Sequence, residues 1–230
     1  MERIFLAAFV LCLVGALEAE TTAQTPLRYL ALGDSYTIGE GATPPERWPV
    51  QLAGLLRQRR ISVGEPQIIA RTGWTVAELD QGIDAAAPHG PFDLVTLLIG
   101  VNDQYRGADL EAYRPGVARM LARAVALAGG DSRRVVVLSI PDWGATPFAR
   151  RSGRDSAQIS ASIGRFNEVN RQEALKANVR FVDITPASRR AASEASLLAL
   201  DGLHYAGPMY LEWARLALPA AADAISTRHP

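Results

Sequence analysis

Tyr29-Leu30-Ala31-Leu32 runs directly into Gly33-Asp34-Ser35-Tyr36-Thr37, a short apolar stretch that ends on a glycine, an acid and a hydroxyl. An apolar run without polar alternation suits a strand covered on both faces, which is the situation in a parallel sheet. Gly33 permits a sharp exit from that strand. Ser35 then stands at the start of the next segment, its hydroxyl toward the cleft and its own N–H free. The same string also suits a helix cap or a plain turn, where Asp and Ser are common.

Outward from this stretch, β-branched apolar runs alternate with helix-length amphipathic segments. Strands are expected at Tyr29 to Leu32, Gln67 to Ala70, Leu94 to Ile99, Val135 to Ile140 and Arg180 to Asp183. Helices are expected at Arg47 to Arg60, Val76 to Ala86, Leu110 to Ala128, Ser156 to Ala177 and Pro208 to Ser226. This alternation predicts an α/β fold: a flavodoxin-like three-layer α/β/α arrangement around a five-stranded parallel sheet of order 2-1-3-4-5. No internal repeat or low-complexity linker interrupts it. Ligands in such sheets bind beyond the carboxyl ends of the strands, so the loops that follow the strands carry the functional reading.

Composition narrows the function classes. Lys plus Arg and Asp plus Glu number 24 each, a formal charge of zero. A nucleic-acid binder needs a basic excess to displace counterions, so no nucleic-acid partner is expected. The apolar fraction of 48% is that of a chain able to build a core. Arg3 precedes an apolar run from Ile4 to Leu17, followed by Ala19-Glu20-Thr21-Thr22-Ala23. That run is shorter than the roughly 20 residues of a membrane span and fits a secretory signal. The expected organisation is therefore a cleaved signal over residues 1–23 and one domain over 24–230, secreted or periplasmic, with no stable membrane anchor after cleavage. The sole cysteine, Cys12, lies inside that run, which leaves the mature protein without disulfides, thiolate chemistry or cysteine-ligated metal.

Four loops hold reactive residue types. Ser35 follows the first strand. Gly73, in Arg71-Thr72-Gly73-Trp74-Thr75, follows the second, where an unshielded backbone N–H can approach a substrate oxygen. Asn102, in Gly100-Val101-Asn102-Asp103, follows the third, and its side-chain amide can donate to the same oxygen. Asp201-Gly202-Leu203-His204-Tyr205 precedes the last helix. There a carboxylate three residues before an imidazole can hold one ring nitrogen while the other faces a nucleophile. Of the three histidines, His89 and His229 have no convincing partner. Each string alone also fits an ordinary turn; the joint occurrence carries the reading.

In these strings the chain resembles the SGNH, or GDSL-type, hydrolase family. Ser35 matches the nucleophile of its first block, Gly73 its second, Asn102 its third and His204 its fourth, with Asp201 three residues earlier. The likeness runs from about Leu27 to Tyr205, in the family's block order. Tyr205 departs from it, since many relatives carry proline after the histidine, and this bears on the stiffness of that loop. The resemblance implies a carboxylic ester hydrolase that needs no cofactor or metal and acts on a small-molecule ester. Its triad would be Ser35, Asp201 and His204, and its oxyanion hole the Ser35 N–H, the Gly73 N–H and the Asn102 amide. With a neutral imidazole as base, the rate should fall below roughly pH 6 to 7.

Around these residues Asp34 and Asp103 read as turn formers. Trp74, Tyr105, Trp143 and Phe148 are candidate pocket walls, because each follows a strand's carboxyl end; aromatics serve as core at least as often. Arg150, Arg151 and Arg154 form a basic cluster, either a solvated surface or a means of steering an anionic substrate. A small-ester or lipid acyl esterase is the leading reading. A carbohydrate O-acetylesterase and a thioesterase stand beside it. A non-catalytic binding protein on the same fold is the alternative from another class, although no Gly-x-Gly-x-x-Gly or Walker string is present.

Overall fold

The computed structural model describes residues 25–226. The signal reading of residues 1–23, Cys12 and His229 lie outside the described residues. In chain order the strands and α-helices are β1 (Tyr29–Gly33), α1 (Ser35–Ile38), α2 (Trp48–Gln58), β2 (Gln67–Ala70), α3 (Val76–Ala86), β3 (Leu94–Leu98), α4 (Val101–Tyr105), α5 (Leu110–Leu127), β4 (Val135–Leu138), α6 (Pro147–Arg151), α7 (Ser156–Lys176), β5 (Arg180–Val182), α8 (Thr185–Ser188) and α9 (Gly207–Ser226).

All five strands are parallel, in the order β2-β1-β3-β4-β5. The α/β expectation and its strand order are therefore borne out. β1 and β3 are buried along their whole length, as their unbroken apolar runs require. The polar residue inside β3, Thr96, is satisfied by the hydroxyl of Tyr29 at 3.0 Å, so its burial leaves no orphaned group. α2 packs on α9, and α9 also covers β3, β4 and β5; α3, α5 and α7 pack in sequence along the sheet. This is the two-sided covering that right-handed crossovers produce around a sheet whose order reverses at β1.

Local chemistry explains the helix starts. Thr75 and Glu78 form a reciprocal capping box at α3, while Asp109 and Asp155 cap α5 and α7 with their carboxylates. Two strands end earlier than their apolar runs suggest. β4 stops at Leu138 because the Asn167 side chain takes over Ile140, accepting from its N–H at 2.7 Å and donating to its carbonyl at 2.9 Å. β3 stops at Leu98 as the chain turns at Gly100, where φ is +117°. A Cβ on Gly100 would lie 2.1 Å from the Tyr113 hydroxyl, so both conformation and space exclude other residues there.

Candidate active site

Ser35, Gly73 and Asn102 sit on the short segments that leave the carboxyl ends of β1, β2 and β3, and Asp201 and His204 reach the same cavity edge from the loop before α9. β1 passes through Gly33, where a Cβ would stand 2.2 Å from Thr37 Oγ1 and 2.4 Å from the Leu98 carbonyl oxygen. Only glycine lets the first turn of α1 close so tightly on β1 and β3. Asp34 caps that turn, its Oδ1 accepting from the Tyr36 N–H at 3.0 Å. Ser35 is therefore the first residue of a helical turn, nearly buried, with a backbone N–H that has no acceptor among the described residues.

The loop after β2 brings in Gly73, whose φ is +86°. Arg106 holds its carbonyl at 2.7 Å while pairing with Glu78 at 3.1 Å. The Gly73 N–H is left without an acceptor among the described residues. Thr72 next to it hydrogen-bonds Glu40, which ties this loop to the segment after α1. From α4, Asn102 donates through Nδ2 to the Trp74 carbonyl at 2.9 Å. That bond orients the amide and uses one of its two N–H groups, leaving the second for another acceptor.

On the loop before α9, Asp201 Oδ2 meets His204 Nδ1 at 2.6 Å, and Asp201 Oδ1 accepts from the backbone N–H groups of Leu203 and His204 at 2.8 and 2.9 Å. Burial works to raise the Asp201 carboxyl, but the His204 ring and the two backbone donors outweigh it and hold the group below its ordinary value. With Nδ1 committed to a carboxylate, Nε2 is the nitrogen left to take a proton. The ring is seated edge-on against Tyr36 at 5.6 Å. The carbonyl of His204 accepts from the Ala199 N–H at 2.9 Å, and Leu198 bridges Tyr205 in antiparallel fashion. Tyr205 itself packs its ring 4.9 Å from Trp213 and 5.7 Å from Tyr36. Tyr205 thus anchors the loop by core packing.

These segments enclose a cavity of about 130 Å³. Ser35, His204, Asn102 and Gly73 all face it, with Tyr105, Trp143, Val101, Leu203, Tyr36 and Thr72 completing the wall. Ser35 Oγ and His204 Nε2 share this space without a hydrogen bond between them; in unliganded sites such bonds are commonly long and tighten with substrate. A larger cavity of about 280 Å³ lies between α3 and α5, walled by Asp80, Asp103 and Arg119 among others. It contains no nucleophile beside a base, so chemistry and not size selects the smaller one.

Of the four aromatic residues expected to wall the pocket, Tyr105 and Trp143 do so. The Trp74 indole instead covers Gly82 on α3, where a Cβ would come within 2.1 Å of it. Phe148 stands behind Trp143, edge-on at 6.1 Å. Trp143 is fixed from its other side by Nε1, which donates to Gln104 Oε1 at 2.8 Å. Tyr36, Thr72, Val101 and Leu203 complete the wall, each adjacent in the chain to a candidate site residue, a signal the sequence carries only as adjacency.

The two further acids differ from simple turn formers. Asp103 Oδ2 accepts from the Val76 N–H at 3.0 Å, a tie between α4 and α3 across 27 residues, and burial pushes its carboxyl up to about 6. Asp34 is fully buried and its Oδ2 has no partner among the described residues. Desolvation, opposed by the Tyr36 N–H and aided by Asp103, raises its carboxyl to about 8. Asp34 is thus a cap whose burial favours the neutral carboxyl. Among the described residues no cluster of three or more His, Cys, Asp or Glu side chains could hold a metal, and no helix is long and apolar enough to cross a membrane.

Comparison with solved structures returns the same architecture at low identity. The chain is similar to a point variant of Axe2, an acetyl xylan esterase from Geobacillus stearothermophilus, at 21% identity and a TM-score of 0.63, over 85% of this chain and 94% of that one. It is similar to a lipase/acylhydrolase from Enterococcus faecalis at 19% identity and a TM-score of 0.63, over 85% and 95%. It also matches the psychrotrophic esterase EstA from Pseudoalteromonas sp., in a structure inhibited by monoethylphosphonate, at 16% identity and a TM-score of 0.58, over 87% and 94%. No curated protein matches the chain. At these identities the likeness speaks for the fold. The GDSL-like Lipase/Acylhydrolase family model, however, matches residues 31–210, from within β1 through the His204 loop into α9; the chain belongs to that family and is a carboxylic ester hydrolase.

Proposed function

We propose that this protein hydrolyses short-chain carboxylic esters through an acyl-enzyme formed on Ser35. Ser35 Oγ attacks the ester carbonyl carbon as its proton passes to His204 Nε2, and Asp201 orients the ring and stabilises its cationic form. The carbonyl oxygen, now an anion, receives hydrogen bonds from the Ser35 N–H, the Gly73 N–H and the second N–H of the Asn102 amide. The carbon–oxygen bond to the alcohol breaks as His204 returns the proton to the departing oxygen. Water then attacks the acyl-Ser35 ester by the same proton route, releasing the acid and restoring Ser35.

The observation that carries this reading is the convergence on one cavity of a serine, an imidazole already paired with a carboxylate at 2.6 Å, and three unspent N–H donors. A phosphate cradle has no use for the Asp201–His204 pair, which weighs against a binding-only role. The cavity volume of about 130 Å³ favours small acyl groups over long lipid chains. The same smallness, with the likeness to an acetyl xylan esterase, supports a carbohydrate O-acetylesterase as the second reading; a thioester would follow the same steps. Export directed by a cleaved signal over residues 1–23, ahead of a single domain spanning 24–230, is part of the proposal and fits an extracellular or periplasmic ester.

A fluorophosphonate probe tests the chemistry directly. The intact protein should be labelled once, at Ser35, and the Ser35→Ala variant should not be labelled. Failure of the folded wild-type protein to label would shift the case to a binding role. Rates on p-nitrophenyl esters from acetyl to long chains then rank the acyl readings, and a steep preference for acetyl supports the carbohydrate one.

A further inference from the structure

Three arginines lie on α6 and the turn behind it, and one of them reaches the wall of the cavity. Arg150, Arg151 and Arg154 are exposed, and none pairs with a carboxylate among the described residues. Each is held through a backbone carbonyl: Arg150 by Ala145 at 3.4 Å, Arg151 by Asp201 at 2.9 Å and Arg154 by Tyr105 at 3.2 Å. The first two are thereby explained. Arg150 closes its own turn. Arg151, together with the Phe148 N–H that donates to the Gly202 carbonyl at 3.0 Å, braces the loop that carries Asp201.

Arg154 is different. Its guanidinium lies 4.3 Å over the Tyr105 ring and 5.9 Å from the Trp143 ring, and those two rings are cavity walls. The cation–π contact seats the guanidinium against the wall, and the single bond to the Tyr105 carbonyl leaves most of its five donors unused. Neither the neighbouring Asp155 nor Asp201 pairs with it. Asp155 Oδ1 accepts from the Ala157 and Gln158 N–H groups, and both Asp201 oxygens are held by Leu203 and His204. A preorganised cation with open donors beside an ester site is suited to a carboxylate-like group.

We propose that Arg154 is a specificity determinant, receiving an anionic group, in the simplest case a carboxylate, on the non-reacting part of the ester. This rests on the ester-hydrolase reading of the cavity and adds the substrate class to it: short esters that carry a negative charge. The stack on Tyr105 makes arginine, and not lysine, the residue that the geometry calls for.

The test compares matched esters in the full-length protein. One pair, 4-acetoxybenzoate and phenyl acetate, places the carboxylate on the alcohol side; the other, monomethyl glutarate and methyl valerate, places it on the acyl side. In wild-type protein the charged member of one pair should be favoured beyond its intrinsic reactivity, and that preference should shrink as ionic strength rises from roughly 0.02 to 0.3 M. Arg154→Gln should lower the charged-to-neutral ratio of kcat/KM by about tenfold, chiefly through KM, and Arg154→Lys should restore only part of it. A ratio identical in wild type and Arg154→Gln for both pairs overturns the proposal while leaving the esterase intact. Absence of turnover of all four esters, or turnover that survives Ser35→Ala, overturns the underlying hydrolase reading instead.

Discussion

Replacing Asp34 with Asn should change how stability depends on pH. In the folded protein this carboxyl is fully buried, one oxygen accepts the Tyr36 N–H at 3.0 Å, and the other has no partner among the described residues. Its folded value of about 8 contrasts with 3.8 for an ordinary Asp. Between those two values the folded state keeps a proton that the unfolded chain has released. The stability associated with this proton is therefore complete below pH 3.8 and is lost progressively as pH rises toward 8. The slope is about 1.4 kcal/mol per pH unit, so wild type should lose about 3 kcal/mol between roughly pH 5 and 7.5 relative to a variant that does not titrate there. Asparagine is that variant: it keeps the shape and the acceptor for the Tyr36 N–H and carries no charge. Urea unfolding of both proteins at several pH values across that window measures the difference, and a thermal scan should show it as a relative Tm change of roughly 6 to 12 °C. Stability curves that run parallel over this range would show that Asp34 ionises normally and that the physical account of its burial is wrong.

Two further substitutions probe the site and its support. Asn102→Ala should lower kcat by roughly 10²- to 10³-fold with a folded protein by circular dichroism, since it removes one proposed oxyanion donor; a loss of less than about tenfold would take Asn102 out of that role. Gly33→Ala forces a Cβ to within 2.2 Å of Thr37 Oγ1 and 2.4 Å of the Leu98 carbonyl oxygen, and should cost about 3 kcal/mol. An unchanged Tm for that variant would mean that β1, α1 and β3 meet less closely than described.

The architecture was legible because it rests on local, repetitive signals. Apolar runs such as Leu94 to Leu98 are buried on both faces, and such runs separated by amphipathic stretches admit few arrangements other than a parallel sheet under helices. Strand ends were less legible where a distant side chain intervenes. Nothing in Val135 to Ile140 announces that Asn167, 27 residues later, will take the backbone of Ile140 out of the ladder. Asp103 shows the same limit: its sequence context is that of a turn, yet its carboxylate caps a helix that begins at Val76.

What the amino-acid order determined by itself is the alternation of strands and helices, hence a sheet whose loops gather at one edge, and the residue types that those loops deliver: Ser35, Gly73, Asn102, Asp201 and His204. Periodicity and short-range spacing suffice for that, because backbone preference and a three-residue separation act within a few residues. Tertiary structure decided which side chains face the cavity: Tyr105 and Trp143 but not Trp74 or Phe148, the solitary buried oxygen of Asp34, and the stacking of Arg154 on a ring 49 residues earlier in the chain. Side-chain direction on an irregular loop is set by what packs against it, and those neighbours come from elements far away along the chain, where no local pattern can register them.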